Sequence, residues 1–194
     1  MSNPANVSKT RWITGVAIFT AIVVVLQLLG SFIRFGPFSV TLVLVPIVIG
    51  TALYGVGAGA WLGFVFGLVV LLSGDAGVFY AISPIGAILI CLVKGAAAGA
   101  IAGCAYKLAS KANETVATAV AAIVCPIVNT GVFLLGCLIF FLPTITEWAD
   151  GAPVGVYMIT GLVGLNFVFE LVVNLILGPV IVRIIRVGQK SLKH

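Results

Sequence analysis

The chain has 194 residues, of which 62% are hydrophobic and only 8% are charged, and its mean hydropathy is +1.31. A water-soluble domain of this length needs a more polar surface, so the composition excludes a soluble enzyme and requires a lipid environment. The net charge of +5 comes from basic residues near the ends of apolar stretches, which argues against a nucleic-acid-binding protein.

The apolar stretches predict about six transmembrane helices, because one span needs roughly 20 apolar residues. The predicted spans lie near residues 12–33, 40–54, 57–72, 84–108, 115–142 and 156–186. They form one domain, residues 1–194, an all-α bundle in the membrane. The first span is too long for a cleaved signal peptide and is followed by Arg34 and Pro37. Only residues 54–57 separate the second and third spans, which therefore form either a tight helical hairpin or a broken pair inside the bundle.

The distribution of Lys and Arg predicts that both termini are cytoplasmic. Basic residues precede the first span, lie between the fourth and fifth, and follow the last: Lys9, Arg11, Lys107, Lys111, Arg183, Arg186, Lys190 and Lys193. The outer connections are then residues 34–39, 73–83 and 143–155, and they are predicted to be loops.

Glycine recurs at every fourth position in the third and fourth spans, a pattern that lets two helix backbones approach closely. These residues are Gly55, Gly59, Gly63 and Gly67 in one span, and Gly95, Gly99 and Gly103 in the other. We expect the two helices to pack tightly against each other.

The sequence contains no pattern that indicates catalysis, a metal or a cofactor. The single histidine is His194, and no Ser–His pair or carboxylate pair can be assembled. Four cysteines lie inside apolar stretches without metal-ligand spacing and are expected to be buried, inert thiols: Cys91, Cys104, Cys125 and Cys137. Since there is no phosphate-binding loop, ATP-driven transport would need a motor from another polypeptide.

Polar residues far from the ends of spans are the candidate ligand contacts, because such groups persist in lipid mainly where they face a cavity or a partner. Lys94, Asn129 and Glu170 lie at similar depth in three spans, given a rise of about 1.5 Å per residue. Asn166, Glu170 and Asn174 are spaced by four residues and form one polar stripe. Either Lys94 and Glu170 form a buried pair with the asparagines as interhelical hydrogen bonds, or these residues line a cavity. In a cavity open to the outside, Asn129 and Asn166 are better placed to contact a ligand than Asn174.

Aromatic residues are concentrated in the outer connections. Phe38, Phe79, Tyr80 and Trp148 form either an aromatic belt at the membrane interface or part of a lid over a pocket. The lid interpretation makes these four residues candidate ligand contacts.

The order of these features resembles the substrate-binding S components of energy-coupling factor (ECF) transporters, nearly from end to end. The residues that carry the resemblance are Phe-Gly-Pro-Phe-Ser-Val-Thr-Leu at 35–42, Gly-Thr-Ala-Leu-Tyr-Gly at 50–55, the glycine-rich third span, and the Asn166–Asn174 stripe followed by Gly178-Pro179. The run Thr-Leu-Val-Leu-Val-Pro at 41–46 is similar to the pantothenate and folate branch.

The resemblance implies a six-helix bundle that captures a vitamin from outside, with its outer loops at residues 34–39 and 73–83 closing over the ligand. Ala17 and Ala21 in the first span match the small-residue pair that docks on a transmembrane coupling subunit. Two cytoplasmic ATPase subunits then drive the whole subunit to rotate, and no cofactor is implied. The expected location is the plasma membrane of a prokaryote. Pantothenate ranks first as ligand on the overall pattern, and Lys94 would neutralise the carboxylate that pantothenate and folate both carry. A neutral or cationic ligand is the alternative that stays open.

Two other interpretations stay open at this point. A secondary carrier driven by an ion gradient would use Glu170 as its coupling group. A scaffold subunit of a membrane complex would use the buried polar residues for packing alone and would bind no ligand.

Overall fold

The structure is a computed structural model that describes residues 8–32, 34–35, 38–39 and 41–192 of the chain. Its elements are α1 (Lys9–Gly30), β1 (Arg34–Phe35), β2 (Phe38–Ser39), α2 (Leu44–Tyr54), α3 (Val56–Leu72), α4 (Gly77–Ile82), α5 (Pro84–Ala109), α6 (Glu114–Phe140), α7 (Leu142–Trp148), α8 (Val154–Tyr157), a π-helical turn (Met158–Val163), α9 (Gly164–Ile176) and α10 (Gly178–Leu192). The two short strands form an antiparallel ribbon in which Arg34 pairs with Ser39. Otherwise the regular elements of the described residues are helices, as predicted.

Three of these helices, α1, α5 and α6, are long and apolar enough to cross a membrane by themselves. Residues Val154–Val163 and Asn166–Ile176 would make a fourth span as a pair bent by 52°, and α2 and α3 are shorter apolar helices. A helical membrane bundle is consistent with these lengths. The count of six spans and the cytoplasmic position of both termini stay predictions.

The chain reverses between α2 and α3 at a single glycine. Gly55 has a φ of 91°, a left-handed conformation that a residue with a Cβ rarely adopts. Beyond it, Gly59 lies against Thr51, and Leu62 lies against Gly50. Since α3 therefore runs back beside α2, the second and third predicted spans form a helical hairpin rather than a broken pair.

Glycines hold α3 and α5 backbone to backbone, as the spacing predicts. A Cβ at Gly63 would meet the carbonyl of Gly95, and a Cβ at Gly99 would meet the carbonyl of Gly59. Gly67 lies against the backbone of Cys91 in the same way. Gly55 does not belong to this contact, because it forms the turn before α3.

Two of the connections that the sequence predicts to be outer loops contain short helices. The second connection forms α4 and the third forms α7. Gly74 (φ 80°) precedes α4 and Gly151 (φ 86°) follows α7, and each reverses the chain at the end of a helix. The helix α5 then begins at Pro84, directly after Ser83, whose hydroxyl accepts a hydrogen bond from the Gly86 amide at 3.3 Å.

The region predicted as the last span is interrupted twice. The π-helical turn precedes α9, and a second break at Leu177 separates α9 from α10. In α10, Arg186 contacts the start of α6, with Nε 3.5 Å from Glu114 Oε2 and a hydrogen bond of 2.8 Å to Thr115 Oγ1. These contacts fasten the end of the described chain to the connection between α5 and α6.

The cysteines differ in their exposure. Cys91, Cys125 and Cys137 are buried, as predicted, whereas Cys104 is exposed on α5. The prediction that all four thiols are buried is therefore wrong at Cys104, because that residue lies on the face of α5 that points away from the other helices.

Candidate functional site

A cavity lies at the end of the bundle where α1, α3 and α6 finish and α5 begins. The space between its walls, with the open mouth and its solvent included, is about 780 Å³. Five of the predicted site residues line it: Phe79, Lys94, Asn129, Asn166 and Glu170. Its other walls are mainly apolar, which is typical of a pocket for a small organic molecule.

Lys94 supplies the positive charge of the cavity. Its ammonium lies between two aromatic rings, 5.5 Å from the ring centre of Phe66 and 5.4 Å from that of Phe133. Each such contact is worth about 0.5–2 kcal/mol, depending on how far the charge is removed from water. Within the described part of the chain, Lys94 forms no ion pair with Glu170. The two residues therefore make no direct ion pair, although the charge of Lys94 acts on the Glu170 carboxyl group.

Glu170 lines the same cavity from α9 and is 5% exposed. The side chains of Thr41 and Asn129 lie beside its carboxyl group and interact with it. Its Oε2 atom has no hydrogen-bond partner among the described residues. A buried polar atom without a partner lowers the stability of a folded protein by about 1–3 kcal/mol, so the unpaired Glu170 oxygen destabilises the fold.

The polar stripe of α9 divides into residues that line the cavity and one that does not. Asn166 and Glu170 line it, whereas Asn174 lies one turn further along, is 1% exposed, and donates from Nδ2 to the carbonyl of Glu170 at 2.8 Å. The π-helical turn directly before α9 also lines the cavity, through Leu162 and Val163. Such turns are frequent at functional sites.

The aromatic residues of the connections predicted to be outer loops differ in whether they line the cavity. Phe79 of α4 lines the cavity, and its ring lies 5.6 Å from that of Phe133 and 4.9 Å from that of Phe141, between ring centres. Trp148 does not line the cavity but packs on Phe79 at 5.9 Å. Tyr80 is 49% exposed and does not line it either. The side chain of Phe38 lies outside the described residues.

Sequence reasoning missed a cluster around Asp75, which also lines the cavity. One oxygen of Asp75, Oδ2, accepts hydrogen bonds from Gln27 Nε2 at 3.0 Å, Ser31 Oγ at 2.5 Å and Ser73 Oγ at 3.0 Å. This cluster joins the end of α1 to the connection between α3 and α4. Gln27, a polar residue inside an apolar span, is the sequence feature that could have indicated this cluster.

Ala17 and Ala21 lie on α1, on the face that is exposed in this chain. Val16 and Val23 on the opposite face are buried against the bundle. The two alanines therefore lie far from the cavity lining, on a surface available to lipid or to a partner.

Among the described residues, no group of three or more His, Cys, Asp or Glu side chains is arranged to hold a metal ion.

Comparison with known proteins gave two matches in sequence. Residues 11–185 match the family model described as "ECF transporter, substrate-specific component". The chain is 28% identical over 192 residues to the pantothenic acid transporter PanT of Lactococcus lactis subsp. cremoris, an alignment that covers 90% of this chain and 93% of that protein. No solved structure matches the chain. The family match includes every helix that lines the cavity.

Proposed function

Because the chain belongs to the family of substrate-specific components of ECF transporters, we propose that it captures pantothenate for uptake. At the level of the family, it is a membrane-embedded, substrate-specific transport component for a vitamin-type solute and not an enzyme. Pantothenate as the particular solute is the proposal. Substrate binds, on this proposal, in the cavity between α5, α6 and α9.

One observation carries the choice of ligand: a lysine lines the cavity without a carboxylate partner among the described residues. Pantothenate has a carboxylate at one end, and an ammonium in a largely apolar cavity attracts such a group strongly. The relative whose name includes pantothenic acid aligns over nearly its whole length, which supports the same choice. We propose Lys94 as the residue that contacts the carboxylate.

The proposal extends to the way the captured solute crosses the membrane. The chain spans the membrane six times with both termini in the cytoplasm of a prokaryotic cell. A transmembrane coupling subunit docks on the face of α1 that carries Ala17 and Ala21, and two separate ATPase subunits hydrolyse ATP. The exposure of both alanines on a helix whose other face is buried supports this docking face.

The proposal is tested by titrating pantothenate into the detergent-purified chain and into Lys94→Met, with binding measured by calorimetry. We expect tight binding to the unmodified chain and a loss of about 30-fold or more in Lys94→Met, because removing one partner of a buried charge contact costs about 2–5 kcal/mol. The matched control is Lys107→Met, an exposed lysine on the same helix, which should bind normally.

Each contrary outcome has its own meaning. Binding of another vitamin but not of pantothenate would show that the ligand assignment is wrong. If no member of a vitamin panel binds or raises the unfolding temperature, the chain does not act alone as a capture subunit, and a scaffold role gains support. Equal affinities of Lys94→Met and the unmodified chain would remove Lys94 from the site.

A further inference from the structure

The cavity contains an excess of hydrogen-bond acceptors. Among the described residues, six buried side-chain polar atoms have no hydrogen-bond partner, and all six are oxygens. Four of them belong to residues that line the cavity: Gln27 Oε1, Asn129 Oδ1, Asn166 Oδ1 and Glu170 Oε2. Buried acceptors are almost always satisfied in native proteins, so these oxygens require donors that the surrounding side chains do not supply.

The same cavity also contains one cationic donor, Lys94. Lys94 lies between the rings of Phe66 and Phe133 and forms no ion pair with Glu170 within the part of the chain that is described. The ammonium has three N–H donors and no acceptor capacity. Within the described residues, the cavity therefore presents a positively charged donor group without an ion-pair partner, together with a set of acceptor oxygens without donors.

From this arrangement we infer that the ligand is a hydroxylated carboxylic acid, bound with its carboxylate at Lys94 and its hydroxyl groups at Asn129, Asn166 and Glu170. The inference rests on the proposed capture function and adds to it the orientation of the ligand and the groups that it must carry. Pantothenate meets the requirement, because two hydroxyl groups lie at the end of the molecule opposite to the carboxylate. A carboxylic acid without hydroxyl or N–H donors does not meet it.

The arrangement also assigns the roles of the site residues in specificity. A site that hydrogen-bonds a ligand hydroxyl rejects an analogue without that hydroxyl, because the buried acceptors are then left unpaired. Asn129, Asn166 and Glu170 thus select for the hydroxyl groups, and Lys94 selects for the carboxylate. Ordered water molecules bound to the same oxygens are the competing explanation, and they would give no such selection.

The test uses three ligands and two variants of the full chain, with affinity measured by calorimetry in detergent. The ligands are pantothenate, dideoxypantothenate, which lacks both hydroxyl groups, and panthenol, which has an alcohol in place of the carboxylate. We expect the unmodified chain to bind pantothenate about 100-fold or more tightly than dideoxypantothenate. Asn166→Ala should weaken pantothenate but hardly change dideoxypantothenate, whereas Lys94→Met should weaken pantothenate but hardly change panthenol. Val168→Ala, an exposed position on α9, is the matched control.

The outcomes separate this inference from the proposed function. If pantothenate and dideoxypantothenate bind equally well, the inference is overturned while the capture of pantothenate stands. The reverse pairing, in which Asn166→Ala weakens dideoxypantothenate but hardly changes panthenol, overturns the assigned orientation. If pantothenate fails to bind, the ligand released from the purified protein decides: a hydroxylated carboxylic acid supports the inference, and any other ligand, or none, overturns it.

Discussion

Asn129 and Asn166 illustrate how one polar side chain can serve either packing or binding. Both line the cavity, and the side-chain oxygen of each is buried without a partner among the described residues. An asparagine that only joined two helices would have that oxygen in an interhelical hydrogen bond. Asn129 also interacts with the Glu170 carboxyl group on α9, so its side chain joins two helices while its oxygen, like that of Asn166, stays available to the proposed ligand.

We predict that Asn129→Leu and Asn166→Leu each abolish pantothenate binding, because leucine fills the cavity and removes the acceptor. The bundle should stay folded, since leucine is tolerated at a site surrounded by apolar walls. The measurements are calorimetric titration and the elution profile of the protein in size-exclusion chromatography. Val168→Leu on the exposed face of α9 is the control, and unchanged affinity in both asparagine variants would contradict the site.

At the scale of elements, the contact between α3 and α5 holds one wall of the cavity in position. Phe66 on α3 and Lys94 on α5 meet across this contact, next to the glycines Gly63 and Gly95. Because the two backbones touch directly, there is no side chain between them that adjusts to a change in volume.

Gly63→Ala should therefore lower the stability of the bundle by about 1–3 kcal/mol, as overpacking does in a tight core. The unfolding temperature in detergent, followed by tryptophan fluorescence, measures this effect. Gly57→Ala lies in the same helix with open space around its position, and it should be neutral or stabilising by up to about 1 kcal/mol. Equal effects of the two substitutions would show that the helices are not in backbone contact.

The cluster around Asp75 connects two further elements at the mouth of the cavity. Hydrogen bonds to a charged group are worth about 1.5–3 kcal/mol, and Asp75 accepts bonds from both α1 and the connection before α4. An asparagine retains the shape of the side chain but presents only one carbonyl oxygen and adds a donor.

Asp75→Asn should consequently loosen the end of α1 from the cavity wall. We expect pantothenate to bind roughly tenfold more weakly, consistent with the loss of one charged hydrogen bond, and the unfolding temperature to fall. Calorimetry and thermal unfolding measure the two effects. Glu147→Gln, at an exposed acidic position on α7, serves as control; a response as small as that of the control would show that the cluster does not support the site.

At the scale of the whole molecule, the proposed ligand cavity and the proposed docking face are different surfaces. The cavity lies inside one end of the bundle, whereas Ala17 and Ala21 lie on the exposed face of α1. A bulky residue on that face would block the close approach of another helix without touching the cavity.

Ala17→Trp or Ala21→Trp should therefore leave pantothenate affinity unchanged and abolish uptake in cells that contain the coupling and ATPase subunits. Calorimetry and the uptake of labelled pantothenate measure the two properties separately. Ile127→Trp, at an exposed apolar position on α6, should retain uptake. Uptake that persists in both alanine variants would exclude this docking face, and uptake without ATPase subunits that an uncoupler abolishes would favour the secondary carrier.

Composition and glycine spacing were sufficient to predict a helical membrane protein in which two helices pack closely, because both signals are repeated along the chain. Residue spacing was also sufficient to place Lys94, Asn129 and Glu170 at a similar depth, since a helix has a constant rise. In the structure, all three residues line one cavity. Family membership, too, could be inferred from the order of motifs.

Other features depended on how the helices are rotated and packed against one another, which hydropathy does not specify. Examples are the hairpin at Gly55, the position of Tyr80 outside the cavity and, among the described residues, the absence of a direct ion pair between Lys94 and Glu170. Asp75 was missed for the same reason, because its partners on α1 are more than 40 residues away in sequence. Depth in the membrane is a local property of the chain, whereas contact between two side chains is set by the packing of the whole bundle.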